Sequence, residues 1–252
     1  MKNIHQQYTP KLHTVKLIVA VFLLALITLT PVYAQSTTQT KTTAIGTHTI
    51  WGTINGVAIE GMVQGPSAEV TDLQIACVFE YTEGDIFNSP PALPAAVNGL
   101  VHLDHELKGL LTEMRKNGKF TGHALETILI TPPAGTLGAK KLLLIGLGDR
   151  NAFTPDLMIT IGRIATREAV RLEVDNFAFA SDLKDAGIDS PTAQVAENIT
   201  KGCLDAYRTE LWLKDKKMAN FKPLKKITLL AGPAFYTIAG EGIKKAVLAL
   251  NQ

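Results

Sequence analysis

The densest group of side chains able to ligate a metal is His102, Asp104, His105 and Glu106. Two imidazoles and two carboxylates are a usable donor set, but His102-x-x-His105 is not the HExxH pattern. In that pattern two histidines lie one helical turn apart with a glutamate between them. These residues fall instead at a helix start, where Asp104 or Glu106 meets the positive end of the helix dipole. No metal ligands and no cofactor are expected from them. His123 is a further imidazole with no partner legible in the sequence.

A second constellation is Gly146-Leu147-Gly148-Asp149-Arg150-Asn151, which follows a strongly apolar run and leads towards a helix. Ligands of open α/β sheets bind outside the carboxyl ends of strands. Gly146, Gly148, Asp149, Arg150 and Asn151 are therefore the candidate ligand-binding loop. The dinucleotide pattern GxGxxG fails at Asn151, and the lysine and hydroxyl of a phosphate-binding P-loop are missing. The glycines thus read first as the means of making a tight turn.

Lys214, Lys216, Lys217, Lys222, Lys225 and Lys226 crowd one stretch, with Trp212 and Phe221 interleaved. Such a patch can contact phosphates, but a solvated loop is the favoured reading, and nucleic acid is not an expected partner. No GxSxG elbow surrounds a serine and no cysteine has a histidine partner by motif. No catalytic residue is assigned.

These residues are positioned by a pattern of short strands and amphipathic helices. HTIWGTI and VAIEGMV flank Asn55-Gly56, a pair that accepts the positive φ angles of a two-residue hairpin turn. Leu73 to Tyr81 reads as a buried strand, and a Pro-rich loop, NSPPALP, follows. Leu103, Leu107, Leu110, Leu111 and Met114 recur at helical spacing on one face, which predicts a single helix ended by Gly118. ALETILIT and KKLLLIGLG are the next strands, joined through Pro132, Pro133 and Gly135. DNFAFASDL and KKITLLAG are the last two, each followed by a helical segment. Thr154-Pro155 and Ser190-Pro191 place a hydroxyl at the N-cap and proline at the first helical position. Alternating strands and helices predict an α/β fold with a mostly parallel sheet between helical layers, and an N-terminal hairpin added at the edge.

The run from Leu103 to Arg171, with its LLLIGLGD and the FTG of Phe120 to Gly122, resembles the N-terminal domain of leucyl aminopeptidases. The similarity extends through AENITKGCLDAYR and ITLLAGPAFYTIAGEGIKKAVLALNQ. It implies a macro-domain-like, three-layer α/β/α sandwich. That family's two-metal chemistry resides in NTDAEGR-like and VGKGxTFDxGG-like segments of a second domain, and neither occurs in these 252 residues. The resemblance therefore implies a non-catalytic ligand-binding or protein-assembly module. The partners it suggests are further copies of the chain in a homo-oligomer, or a separate aminopeptidase catalytic chain. ADP-ribose or another nucleotide is the alternative ligand class, although no VNAAN-like segment is present.

Export is expected from the N-terminus. Lys2, Lys11 and Lys16 precede an apolar run from Leu17 to Leu29, and Val32-Tyr33-Ala34 supplies the small residues of a cleavage site. The run is too short to span a bilayer. Residues 1–34 are expected to be a signal peptide, 35–43 a disordered leader and 44–252 the domain, in the periplasm or outside the cell, with no membrane contact after cleavage. Losing three lysines from 25 basic residues leaves 22 against 23 acidic ones, a net charge of −1. Such a chain has no global field to steer it onto polyanions. Cys77 and Cys203 lie in apolar surroundings and read as two buried thiols, although export would permit a disulfide.

Overall fold

A computed structural model describes residues 42–82 and 92–251. The expected signal peptide, and all but the last two residues of the expected leader, lie outside the described residues, as does most of the Pro-rich loop. At the end of that leader, the Thr43 N–H donates to the Pro233 carbonyl at 2.9 Å, so the folded part already includes Thr43. No helix among the described residues is long and apolar enough to cross a membrane.

Seven strands form one mixed sheet: β1 (His48–Ile54), β2 (Val57–Val63), β3 (Leu73–Val78), β4 (Thr127–Ile130), β5 (Lys141–Gly146), β6 (Asn176–Ala180) and β7 (Lys226–Ala231). Their spatial order is β1-β2-β7-β6-β3-β5-β4. The five inner strands run parallel, while β1 and β4 close the two edges antiparallel. Five helices cover the sheet: α1 (Gly99–Glu106), α2 (Leu110–Lys116), α3 (Leu157–Arg171), α4 (Thr192–Asp215) and α5 (Tyr236–Leu250).

The continuous apolar run Leu142-Leu143-Leu144-Ile145 is what a strand buried on both faces requires. Leu143 and Ile145 join Ile75, Phe177 and Ile227 in a core covered by α3, α4 and α5. Leu142 and Leu144 point the other way, with Ala76 and Val78, towards Leu103, Leu107, Leu111 and Met114 of the α1–α2 segment. Each of the three leucines is at most 1% exposed, and burying such a side chain contributes about 1.5–3 kcal/mol. This is the expected three-layer α/β/α sandwich.

The expected hairpin forms at Asn55-Gly56 with φ of 51° and 82°; β1 is the edge strand it adds, and β2 lies inside the sheet, paired parallel to β7. Trp51 sits in a bulge of β1, where the register slips between Ile50 and Gly52. The single helix expected up to Gly118 is two, because Lys108 and Gly109 take φ of 57° and 82° and break the ladder. Its apolar stripe survives because both pieces press onto the same sheet face, and Gly118, at φ 65°, does terminate the second. The helix starts also move. Thr154 and Pro155 form a tight turn ahead of α3, whose N-cap is Asp156, and Pro191 is itself the N-cap of α4, with no side-chain capping bond at either.

Helices α3 and α4 cross at Gly162 and Gly202. A Cβ on Gly162 would lie 2.6 Å from the Ile199 carbonyl oxygen, and one on Gly202 would collide with the Ile159 carbonyl. Backbone is the obstacle in both cases, so no rotamer change relieves it. Gly202→Ala is expected to lower stability by about 1–3 kcal/mol in urea unfolding. Gly65→Ala, where a Cβ meets nothing within 4 Å, should stay near wild type. Equal midpoints for the two variants would show that the helices can separate without cost.

Candidate functional site

The site originates where β6 leaves β3. Their register ends at Ala76↔Ala180, but β3 continues beside β5 through Cys77 and Val78. The unpaired Cys77 N–H donates instead to the Asp182 carboxylate at 3.0 Å. Asp182 reaches this position with φ 55°, a left-handed conformation uncommon for a residue with a side chain. From here the chain runs outward on both sides of the sheet, since β3 leads to β5 and β4 while β6 leads to β7. Such a divergence opens a crevice at the carboxyl ends of the strands.

A cavity of about 240 Å³ lies beside it, over the carboxyl ends of β6, β7 and β2, with no β3 residue in its lining. Val63 of β2, Phe179 and Ala180 of β6, and Leu229 and Ala231 of β7 line it from the sheet. Val195, Ala196 and Ile199 of α4 and Ala239 of α5 line it from the helices. Most of the polar lining is in the loop after β6, with Ser181, Asp182, Lys184, Asp185 and Ser190, and Gln64, His102 of α1 and Thr192 of α4 add polar groups from other walls.

Asp185 fixes one wall. Its carboxylate accepts from the Gly99 N–H at 3.0 Å and also from Leu100, at the start of α1. Asn98 completes the tie. Its carbonyl accepts from the Val101 N–H at 3.0 Å, and its amide donates to the Asp185 carbonyl at 3.0 Å. A side chain on Gly99 would strike Pro66 at 2.8 Å and Asp185 at 3.0 Å, so glycine is required there. Burial raises the affinity of both Asp182 and Asp185 for a proton, and the neighbouring Asp185 raises that of Asp182 further.

Lys184 also lines the cavity, with its ammonium held at other partners. Its ammonium donates to the Ser190 carbonyl at 2.9 Å, contacts Asp189 at 3.3 Å and lies 5.8 Å from the centre of the Phe235 ring. Ser190 itself is 8% exposed.

The Gly146–Asn151 loop lies elsewhere, and Gly146, Gly148, Asp149, Arg150 and Asn151 do not line this cavity. Its backbone is used internally: Gly146 N–H donates to the Glu126 carbonyl at 2.8 Å and Gly148 N–H to the Gly122 carbonyl at 3.0 Å. Asp149 accepts from the Asn151 N–H at 2.9 Å and so caps the short turn Arg150–Ala152. Arg150 donates to the Ala186 carbonyl and thereby braces the loop that borders the cavity.

The histidine-rich cluster is split by the helix. Asp104 turns inward, 1% exposed, and accepts from Leu111 N–H at 2.9 Å, Thr112 N–H at 3.2 Å and the Thr112 hydroxyl at 2.6 Å, capping α2. His105 faces solvent beside Glu106, and His102 borders the cavity. His123 pairs with Glu80 at 2.7 Å on the surface. Among the described residues no three His, Cys, Asp or Glu side chains are grouped to hold a metal.

The lysines also disperse. Lys222 and Lys225 pair with Asp175 at 3.2 and 3.0 Å, Lys226 with Glu60 at 3.0 Å, and Lys214 lies 4.8 Å from the centre of the Phe221 ring. Cys77 and Cys203 are free and buried. Burial pushes the Cys203 thiol up to about 12 and raises that of Cys77 as well, which makes both poor nucleophiles.

The site residues that sequence reasoning missed are Asp182, Asp185 and Ser190. The rule that pointed to the loop after β5 applies equally to SDLKDAG after β6, but the strand order that favours the latter is not legible along the chain.

A doubly flanked, mainly parallel sheet with a crevice at its switch point defines a macrodomain-like α/β protein, and known structures share that fold. A macrodomain variant from Oceanobacillus iheyensis superposes with a TM-score of 0.53 at 16% identity, over 81% of this chain and 95% of that one. A tomato leucine aminopeptidase variant gives 0.54 at 21% identity, over 77% of this chain and 36% of that one. The profile of the cytosol aminopeptidase family, N-terminal domain, matches residues 86–211, half of the chain. The chain belongs to that family through its N-terminal domain. The "Probable cytosol aminopeptidase" of Roseiflexus castenholzii is 34% identical over 143 residues, 56% of this chain and 28% of that protein. Its counterpart from Thermosynechococcus vestitus is 30% identical over 185 residues, 72% of this chain and 32% of that protein. The chain thus spans about a third of the length of these relatives.

The acid pair has a measurable consequence for stability. A carboxyl group that binds its proton more tightly when folded contributes stability that is present at low pH and lost as pH rises through the folded-state value. The melting temperature should therefore gain about 2–4 °C from this pair between pH 7.4 and 5. In Asp182→Asn that increment should shrink, which isolates it from the parallel contribution of His123. An unchanged increment would mean that the pair is not coupled to folding.

Proposed function

We propose that this chain is an exported, non-catalytic module of the cytosol aminopeptidase N-terminal class that binds a compact ligand in the cavity over the carboxyl ends of β6, β7 and β2. The observation that carries the reading is the cavity itself, with largely apolar walls and most of its polar residues in the loop after β6. Small-molecule sites have this composition, a mostly apolar concavity with a few convergent polar groups. Its volume falls below the roughly 300–1,000 Å³ of pockets for drug-sized ligands, and an acid pair repels a pyrophosphate. A small ligand is therefore favoured over ADP-ribose or another nucleotide. Support for export is the lysine-flanked apolar run ending in Val32-Tyr33-Ala34.

Amide chemical shifts of the purified chain, recorded against separate pools of small cations, anions, neutral apolar compounds and nucleotides, test the site. At least one compact ligand should move the resonances of Ala180 to Asp185 and of Gly232. Silence at these positions with every pool overturns the reading. The non-catalytic part is tested by leucine p-nitroanilide with added manganese or zinc. No turnover is expected, and hydrolysis abolished by a chelator would require a metal centre.

A further inference from the structure

The end of α4 and the chain that follows it carry a charged surface remote from the cavity. Residues 212–226 hold six lysines against a single acid, Asp215, although the expected mature chain is −1 overall. Four of the six are held in place. Lys222 and Lys225 share Asp175, Lys226 contacts Glu60, and Lys214 donates to the Phe221 carbonyl. Lys216 and Lys217 are exposed, with no side-chain hydrogen bond or ion pair among the described residues. Asp215 does not face Lys216, because immediate neighbours on a helix point apart.

Two apolar side chains stand beside these lysines. Trp212, 58% exposed, lies one helical turn before Lys216 and so shares its face. The Lys217 N–H donates to the Lys214 carbonyl and the Met218 N–H to the Leu213 carbonyl, both at 2.9 Å, which folds the chain back over the last turn. Met218 is left 79% exposed at the tip, and Lys217 takes φ 59°, where glycine is the usual residue. A lysine there bears strain that glycine would avoid.

We propose that this tip docks the protein on an anionic lipid surface, with Lys216 and Lys217 meeting headgroup phosphates and Trp212 and Met218 entering the interfacial layer. Lysines close to a bilayer are attracted to anionic headgroups, and tryptophan rings settle at headgroup depth. A soluble polyanion would satisfy the lysines but offer Met218 no apolar layer. This reverses the expectation of no membrane contact, which rested on the N-terminal apolar run and not on how the lysine stretch folds. Docking also leaves the cavity open. Val195 and Ala196 line it from the start of α4 and Leu229 to Ala231 from the end of β7, whereas the tip lies past the end of α4 and ahead of β7.

Co-sedimentation of the chain recovered after export with phosphatidylcholine vesicles, with and without phosphatidylglycerol, tests this docking. Binding should need the anionic lipid, fall with added salt and shift tryptophan emission to the blue. The shift should vanish in Trp212→Phe, because Trp51 is packed against Gly61 and Gly240. Lys216→Gln should weaken binding about fivefold. Lys217→Gly should weaken it equally while melting no lower than the wild type, a combination that a purely structural lysine would not give. Retention by an uncleaved apolar run would be indifferent to phosphatidylglycerol and to both lysines. No binding to anionic vesicles, equal binding to neutral ones, or unchanged affinity in both lysine variants overturns the proposal. So does an equal emission shift with heparin or RNA, which would assign the tip to a soluble polyanion. The cavity takes no part in these measurements, so the ligand site stands or falls separately.

Discussion

The hydrogen bond from the Cys77 N–H to the Asp182 carboxylate is the contact on which the rest of the crevice depends. An inner strand that loses its neighbour leaves backbone donors buried without partners, at a cost of about 1–3 kcal/mol each. Here β6 ends at Ala180 while β3 continues, and the Asp182 side chain supplies the acceptor that β6 no longer does. The chain after β6 can then leave the sheet without leaving that donor unsatisfied. The next carboxylate, Asp185, reaches across to hold α1 by its first N–H groups. One short loop thus closes the sheet, places a helix and lines a cavity.

Much of the layered fold was legible because burial on two faces leaves an unmistakable run of apolar residues, as in Leu142 to Ile145, and because Asn55-Gly56 announces its turn. The break at Lys108-Gly109 was not legible. Leu103, Leu107, Leu111 and Met114 keep helical spacing across it, since both helices face the same sheet surface. What breaks the ladder is a pair of left-handed residues and a carboxylate, Asp104, that caps the second helix from seven residues upstream. A local pattern cannot register a side chain that acts at that distance.

The candidate site was harder to read for a related reason. Gly146 and Gly148 look available in the sequence, but they are glycines because the neighbouring chain passes too close for a side chain. A Cβ on Gly146 would strike the carbonyl of His123, and Gly148 takes φ 76° against Ala124. Their donors are spent on Glu126 and Gly122. The residues that do line the cavity are common types, two aspartates and a serine, and only the order β7-β6-β3 brings the loop after β6 to a switch point.

The two carboxylates of this loop carry structural duties that conflict with their surroundings. Asp182 must keep one oxygen on Cys77 and Asp185 one on Gly99 for the walls to stand. Such bonds are strongest when the accepting oxygen is charged, whereas burial favours the protonated acid at both positions. The backbone donors of β3 and α1 work against that burial penalty by favouring the ionised form. The loop after β6 is therefore held by acceptors whose strength falls when they take up a proton, and its anchoring and its charge are set by the same few atoms.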